Sequence, residues 1–405
     1  MLPLYIDPGT GSMLLSLFIG IATAAIFGLR ALFIKLQFIL SGGKTDKNAA
    51  FNNIPYVIFS DHKRYWNVFK PICDEFEKRA VDLVYYTCSP DDPALTAEYK
   101  HLTAEYIGEG NKAFAKLNML SADILMATTP NLDVYQWKRS KNVKWYVHIP
   151  HTVDDLAGYR MFGLDYYDAV LTSGTNQNDL IRKIESLRPA ITAKELVTVG
   201  SLPLDNLKVK YDANDRICND KPVILLGPSW GKSAILSKYG EKFLTALQKT
   251  GYKIIVRPHP QTIVSEKDIL EPLTQKFPDF EWNYDNDNFA VLNRADLLIT
   301  DFSGIIFDYS CVFDKPLIYA DTDFDTLPYD ADWLSEPIWA FRVLPELGIQ
   351  LKEADFNHIG DVIENALKSK NLQEGRQKVR NECWANQGNS AAAVVDYLME
   401  KEKTL

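Results

Sequence analysis

Short runs of Val, Ile and Leu recur along the chain, separated by longer stretches in which apolar residues return every three or four positions. Tyr56-Val-Ile-Phe-Ser60 is the first run. A helical pattern follows over residues 65–80, then a second run over 81–86. Further runs lie at 124–127, 143–148, 169–172 and 196–199. After a polar stretch at 205–221, a second series follows at 222–226, 253–256, 281–284, 296–300 and 316–320. Strands buried on both faces read as continuous apolar runs, so the pattern predicts parallel sheets with helical crossovers. Two doubly wound α/β halves joined through 205–221 account for it most simply. Residues 390–403 predict a closing helix with Ser390 as its N-cap.

The N-terminus has a different pattern. Residues 13–29 hold no charge, and a second apolar run, 31–40, follows Arg30 and is interrupted by Lys35. This predicts a membrane-anchoring segment that either spans the bilayer or lies in its interface, a buried soluble helix being the remaining alternative. The leader carries Asp7 and no basic residue, unlike a cleaved signal peptide. The basic residues follow the apolar run, which predicts a body on the cytoplasmic side. A polar linker, 41–47, leads into the body.

Composition narrows the function classes. With 405 residues, 46% hydrophobic and 24% charged, the chain is not a disordered or fibrous protein. A net charge of −9 argues against a surface that tracks nucleic-acid phosphates. The five cysteines form no CxxC pair, which disfavours a disulfide framework or structural zinc and fits a reducing compartment.

Ligands of open parallel sheets bind beyond the carboxyl ends of the strands, and four such places are rich in polar residues. Trp145-Tyr-Val-His-Ile-Pro-His151 ends in His148 and His151. Ile224-Leu-Leu-Gly-Pro-Ser-Trp-Gly231 offers the Ser229 hydroxyl and Trp230, a stacking surface or a core residue. Ile254-Ile-Val-Arg-Pro-His-Pro260 offers Arg257, a bidentate partner for phosphate oxygens, and His259. Leu297-Leu-Ile-Thr-Asp-Phe-Ser-Gly304 offers Thr300, Asp301, Ser303 and Gly304. Ser303 and Gly304 would open a helix over 304–312 whose N-terminus attracts an anion, the alternative being that Ser303 is only a cap. Asp301 would bind a ribose hydroxyl or hold the loop.

Three other motifs do not carry a site. Gly227-Pro-Ser-Trp-Gly-Lys-Ser233 is one residue short of a P-loop, and Pro228 removes an amide from the cradle. Gly108-Glu-Gly-Asn-Lys-Ala113 has the GxGxxA form, but no acidic residue follows at a strand end about 20 positions on. Asp321-Thr-Asp323 is explained as well by a polar turn as by a metal site, so no metal is assigned.

Taken together, the strand-end motifs resemble a known family. Ala295-Asp-Leu-Leu-Ile-Thr-Asp-Phe-Ser-Gly-Ile-Ile-Phe-Asp308 with Asp314-Lys-Pro-Leu-Ile-Tyr319 resembles the signature of the CDP-glycerol glycerophosphotransferases, which include teichoic-acid primases and polymerases. Arg257-Pro-His-Pro260 resembles the family's R-x-H-P element, Gly200–Asp205 its G-x-P-R-x-D segment without the Arg, and Ile224–Trp230 its strand followed by a-P-T-w. His151-Thr-Val-Asp-Asp155 stands where the family reads H-G-T-P followed by Lys. Ser303-Gly304, in place of Ser-Ser, also resembles sugar-nucleotide epimerases of the same fold.

The resemblance implies an α/β, GT-B-like fold of two facing Rossmann-like domains, here with an N-terminal membrane helix. The expected divisions are an anchor at 1–45, an acceptor domain at 46–208, a donor-nucleotide domain at 209–375 and a tail at 376–405 crossing back to the first domain. It implies a CDP-glycerol or related CDP-alditol donor, a polymer or lipid-linked acceptor, attachment to the inner membrane face, no nucleic-acid partner, and chemistry without metal or cofactor. His151 or His148 would be the base, His259 and Arg257 would stabilise phosphate charge, and Ser229, Thr300, Asp301, Ser303 and Gly304 would hold the donor. The alternatives are a GT-B glycosyltransferase using a nucleotide sugar and a non-catalytic nucleotide-binding protein of a polymer-assembly complex.

Overall fold

The computed structural model describes residues 53–154, 156–215, 217–285, 287–320, 337–369 and 372–405. The N-terminal apolar segment and the Asp321–Asp323 pair lie outside them. Among the described residues no helix is long and apolar enough to cross a membrane.

Two parallel sheets form. The first holds β1 (Ile54–Ser60), β2 (Leu83–Thr87), β3 (Leu102–Tyr106), β4 (Ser121–Ala127), β5 (Asn142–His148), β6 (Ala169–Thr172) and β7 (Glu195–Thr198), in the order β3-β2-β1-β4-β5-β6-β7. The second holds β8 (Val223–Leu226), β9 (Lys253–Val256), β10 (Glu281–Trp282), β11 (Leu297–Thr300), β12 (Leu317–Ala320) and β13 (Gly348–Leu351), in the order β10-β9-β8-β11-β12-β13. The strand order reverses at β1/β4 in the first sheet and at β8/β11 in the second. Such switch points open a crevice for ligands.

Side chains alternate across each strand, and both faces are covered. In β1, Tyr56 and Ile58 join one apolar cluster while Val57 and Phe59 join the other. In β8, Ile224 and Leu226 face one cluster while Val223 and Leu225 face the opposite one. The Trp66–Lys78 helix buries Val68, Phe69, Ile72, Cys73 and Phe76, a single stripe at helical spacing, against the first sheet.

Two strands carry no clear signal in the sequence. β3 and β13 are sheet edges, each with one partner strand, and both are only partly apolar. The polar stretch 205–221 is not wholly a connection: the Leu202–Ala213 helix occupies its first half and buries Leu202, Leu204 and Leu207.

The tail helix Ser390–Glu402 packs on the first sheet, where Val394, Val395 and Leu398 enter the same cluster as the Trp66–Lys78 helix. Burial of such side chains contributes roughly 2 kcal/mol each. Ser390 is not the side-chain cap of this helix, because its hydroxyl has no partner. Asp205 does that work from another element. Its Oδ1 accepts from the Trp384 indole N–H (2.7 Å) and the Gly388 N–H (2.8 Å), and its Oδ2 accepts from the Ser390 N–H (2.9 Å). Gly200, at φ +103°, lets this segment approach: a Cβ there would lie 2.2 Å from the Ala385 carbonyl oxygen.

Gly200→Ala is therefore expected to lower stability by about 2–4 kcal/mol through backbone strain and overlap. Asp205→Ala should cost about 1–3 kcal/mol for the buried donors left unpaired. Urea unfolding measures both. Limited proteolysis should cut the chain first near residues 384–390, and an unchanged cleavage pattern would contradict the stitching role.

Candidate active site

The second sheet gathers its polar side chains at the carboxyl ends of three neighbouring strands, β9, β8 and β11. Asp301, just beyond β11, is 1% exposed. Its Oδ1 accepts from the N–H groups of Ser229 (2.8 Å) and Phe302 (2.7 Å), and its Oδ2 accepts from Ile235 N–H (2.9 Å). Burial pushes its carboxyl above the usual range, and the three amides pull it back. Asp301 thus holds the loop, with both carboxylate oxygens engaged by backbone amides. The Thr300 hydroxyl likewise donates to the Gly227 carbonyl (2.6 Å) and ties the β8 and β11 ends together. The resemblance to a P-loop fails physically as well: the amides of Ser229 and Gly231 are committed to the carboxylates of Asp301 and Glu266.

What remains open on this face is cationic or hydrogen-bond donating. Arg257 continues β9 through its N–H to the Leu226 carbonyl (2.9 Å), and its guanidinium donates to Asn283 Oδ1. Burial lowers its pKa, opposed by the charges of Asp285 and Asp287. His259 caps the Pro260–Ser265 helix, its Nδ1 accepting from Gln261 N–H (3.1 Å). A ring that accepts through Nδ1 carries its proton on Nε2, so His259 is a neutral donor, in keeping with a pKa lowered by burial. Trp230 stacks near it, with ring centroids 6.3 Å apart and planes at 28°. At 43% exposure Trp230 is no core residue.

Ser303 and Gly304 lead into the short Ile305–Asp308 helix, which runs on as a π-turn over Tyr309–Phe313. A Cβ on Gly304 would meet nothing within 4 Å, so its backbone is open to a ligand. Glu266 is a positioning residue that leaves no trace in the sequence pattern. Its Oε1 accepts from Gly231 N–H (2.9 Å) and its Oε2 from the Thr262 hydroxyl (2.8 Å), joining the loops that carry Trp230 and His259.

The two other histidines sit at the end of β5 in the first sheet and differ from one another. His148 is fully buried, its Nε2 is 3.2 Å from the Tyr159 hydroxyl, and the rings of Tyr159 and Tyr167 pack edge-on against it. Burial lowers its pKa to about 3. His151 is partly exposed, and its ring packs 5.0 Å from that of Tyr65. Burial, aided by the charge of Arg64, lowers its pKa to about 4. Gln177 Nε2 donates to the carbonyls of Thr152 and Asp154 (both 2.9 Å), and Asn176 Nδ2 donates to that of Val153 (2.8 Å), which clamps the His151 loop. Val153 enters the apolar cluster that also contains Leu298, Ile306 and Phe307 of the second half. The loop bearing His151 therefore reaches the second half of the molecule.

A family model described as CDP-glycerol:poly(glycerophosphate) glycerophosphotransferase matches residues 191–399, just over half of the chain. The chain belongs to this family. As a glycerophosphotransferase family member it is a transferase. The match spans Ser229, Arg257, His259, Thr300, Asp301, Ser303, Gly304 and the tail, while His148 and His151 precede it. Among solved structures, the wall teichoic acid polymerase TagF is similar at 15% identity and a TM-score of 0.59, over 94% of this chain and 98% of that one. A putative UDP-N-acetylglucosamine 2-epimerase from Listeria monocytogenes is similar at 11% identity and a TM-score of 0.57, over 87% and 98%. The UDP-GlcNAc 2-epimerase from Neisseria meningitidis is similar at 12% identity and a TM-score of 0.52, over 85% and 99%. At these identities the likeness is one of fold, GT-B-like with two parallel-sheet α/β domains. No curated protein matches the chain by sequence.

Asp301→Asn turns an oxygen that accepts from the backbone into an amide that cannot. It should cost about 1–3 kcal/mol in urea unfolding. Full stability retained in this variant would contradict the role of Asp301 as a tie between loops.

Proposed function

We propose that this glycerophosphotransferase moves glycerol phosphate from CDP-glycerol, or a similar CDP-alditol, to a cell-wall or surface polymer acceptor and releases CMP. The observation that carries the reading is the placement of Arg257 and a neutral, Nε2-protonated His259 at the carboxyl end of β9, next to the strands of the β8/β11 switch point and inside the region of the family match. Such a pair suits a diphosphate whose leaving group gains charge. The Gly304 backbone offers an open approach for the donor phosphates, and Trp230 a surface for the base.

In the proposed step the acceptor hydroxyl attacks the β-phosphorus. A new P–O bond forms, the bond from that phosphorus to the oxygen bridging the two phosphates breaks, and CMP leaves with the electron pair. His151 takes the hydroxyl proton. His148, enclosed by Tyr159 and Tyr167, supports the neighbouring loop rather than meeting substrate. The apolar N-terminal segment would hold the enzyme at the cytoplasmic membrane face, close to a lipid-linked acceptor.

The chain in lipid, given CDP-glycerol, CDP-ribitol, a panel of UDP-sugars and membrane extract as acceptor, should release CMP. His259→Ala and His151→Ala should each lower the rate by about a hundredfold or more. UDP release would move the protein to the glycosyltransferases. Tight CDP-glycerol binding without turnover would make it a non-catalytic member.

The pH profile is a second test. A base with a pKa of about 4 is neutral throughout the usual histidine range, so the acidic limb of kcat/KM should lie well below pH 6.5. Stability should follow the same groups. Between pH 6.5 and about 4 the unfolded chain binds protons that the buried, neutral His148 and His151 do not, so stability falls as pH falls through that window. Replacing both by Gln should flatten that slope in thermal unfolding.

A further inference from the structure

The switch point of the first sheet lies between β1 and β4, and the chemistry above uses only His151 near it. The register pairs Phe59 with Ala127 and Ala127 with His148. The residues just beyond those three strand ends are therefore neighbours. Six residues at or beyond these ends carry buried polar atoms that meet no hydrogen-bond geometry among the described residues: Asp61 Oδ1, Thr128 Oγ1, Thr129 Oγ1, Asn131 Oδ1, His148 Nδ1 and His151 Nδ1. The Thr129 hydroxyl lies close enough to the Asp61 carboxylate to favour its charged form. Two of these side chains are almost wholly enclosed, Thr128 at 1% exposure and His148 at 0%. Buried polar atoms are normally satisfied, so a cluster of this kind takes either water or the polar groups of a ligand.

The chemistry of the cluster selects the ligand. It mixes acceptors (Asp61, Asn131) with hydroxyls and imidazole nitrogens that can donate or accept. A phosphate, which only accepts, would face the Asp61 carboxylate. An alcohol hydroxyl both donates and accepts and suits Asp61, Thr128, Thr129 and Asn131 alike. Arg64 stands at the exposed rim, its guanidinium 5.0 Å from the Tyr65 ring, which in turn packs on His151. Its charge acts on both Asp61 and His151.

We infer that Asp61, Thr128, Thr129 and Asn131 form a hydroxyl-reading subsite for the end of an alditol phosphate, with Arg64 meeting its phosphate at the rim. This rests on the reading of the first sheet as the acceptor side. It adds the specificity-determining residues: the free hydroxyl end is held inward, next to His151, and the phosphate is held outward.

The test is calorimetric titration of the full chain in lipid with glycerol 3-phosphate, and separately with inorganic phosphate and with CDP-glycerol. The wild type should bind glycerol 3-phosphate more tightly than inorganic phosphate. Thr128→Val and Asp61→Asn should each weaken it by about tenfold or more, with CDP-glycerol binding and the thermal midpoint unchanged. Equal binding by wild type and variants means that the cluster holds water only and overturns the subsite. So does a preference for inorganic phosphate, or no binding by the wild type. Turnover separates this from the donor reading. Binding of glycerol 3-phosphate that depends on Thr128 and Asp61, without CMP release, supports the subsite and sinks the donor assignment. CMP release with the acceptor KM unchanged in both variants sinks the subsite alone.

Discussion

The structure depends on one carboxylate that joins distant parts of the chain. Asp205 lies in the Leu202–Ala213 helix and accepts three hydrogen bonds from residues 384–390, between 179 and 185 positions later. Apolar packing of the tail helix supplies free energy but tolerates sliding. Three donors on one carboxylate do not, because each requires distance and direction. The tail also meets the loops after β6 and β7, where Ala385 N–H donates to the Ser173 carbonyl (2.9 Å) and a Cβ on Gly174 would overlap the Glu382 carbonyl oxygen. The helix Gln373–Cys383 and the helix Ser390–Glu402 are thereby held in a set relation on either side of Asp205.

Within the second sheet acidic side chains play the same organising part on a smaller scale. Asp301 and Glu266 absorb the backbone amides of the β8 loop, which a phosphate-cradling loop would leave free. The consequence is electrostatic. The carboxylates of Asp301 and Glu266 are taken up by amide donors, which leaves the Arg257 and His259 side chains beside them. His259 is held in its neutral state by the amide that its Nδ1 accepts, so its donor is present without a positive charge. In the proposed reaction a diphosphate would meet one full charge and directed hydrogen bonds there, an arrangement that needs little rearrangement as charge shifts to the leaving group.

Much of this was legible before the fold was known. The apolar runs that became β1, β4, β5, β8, β9 and β11 are central strands, buried on both faces, and nothing but a continuous apolar run satisfies that environment. β3 and β13 were not legible, because their residues are only partly apolar and leave a weak pattern. The strand-end rule led to His151, Arg257, His259 and Ser303-Gly304 from the positions of Pro, Gly and His alone. It did not lead to Asp61 or Thr128, because the rule needs the strand order: only the adjacency of β1 to β4 shows that the ends of these strands make the crevice. Glu266 was out of reach for a similar reason, since its partner Gly231 is 35 residues away and no spacing links them.

The sequence by itself determined the α/β class, the two series of parallel strands and the polar residues at their carboxyl ends, because these follow from local periodicity and from a covalent strand-to-loop order. The tertiary structure decided the role of each polar residue. Asp301 and Thr300 became ties between loops, Asp205 became the cap of a helix from the far end of the chain, and His148 was closed in by tyrosines while His151 kept an exposed edge. The physical reason is that a side chain's chemistry depends on which donors and acceptors surround it and on how much water reaches it, and both are set by contacts between residues far apart in the chain.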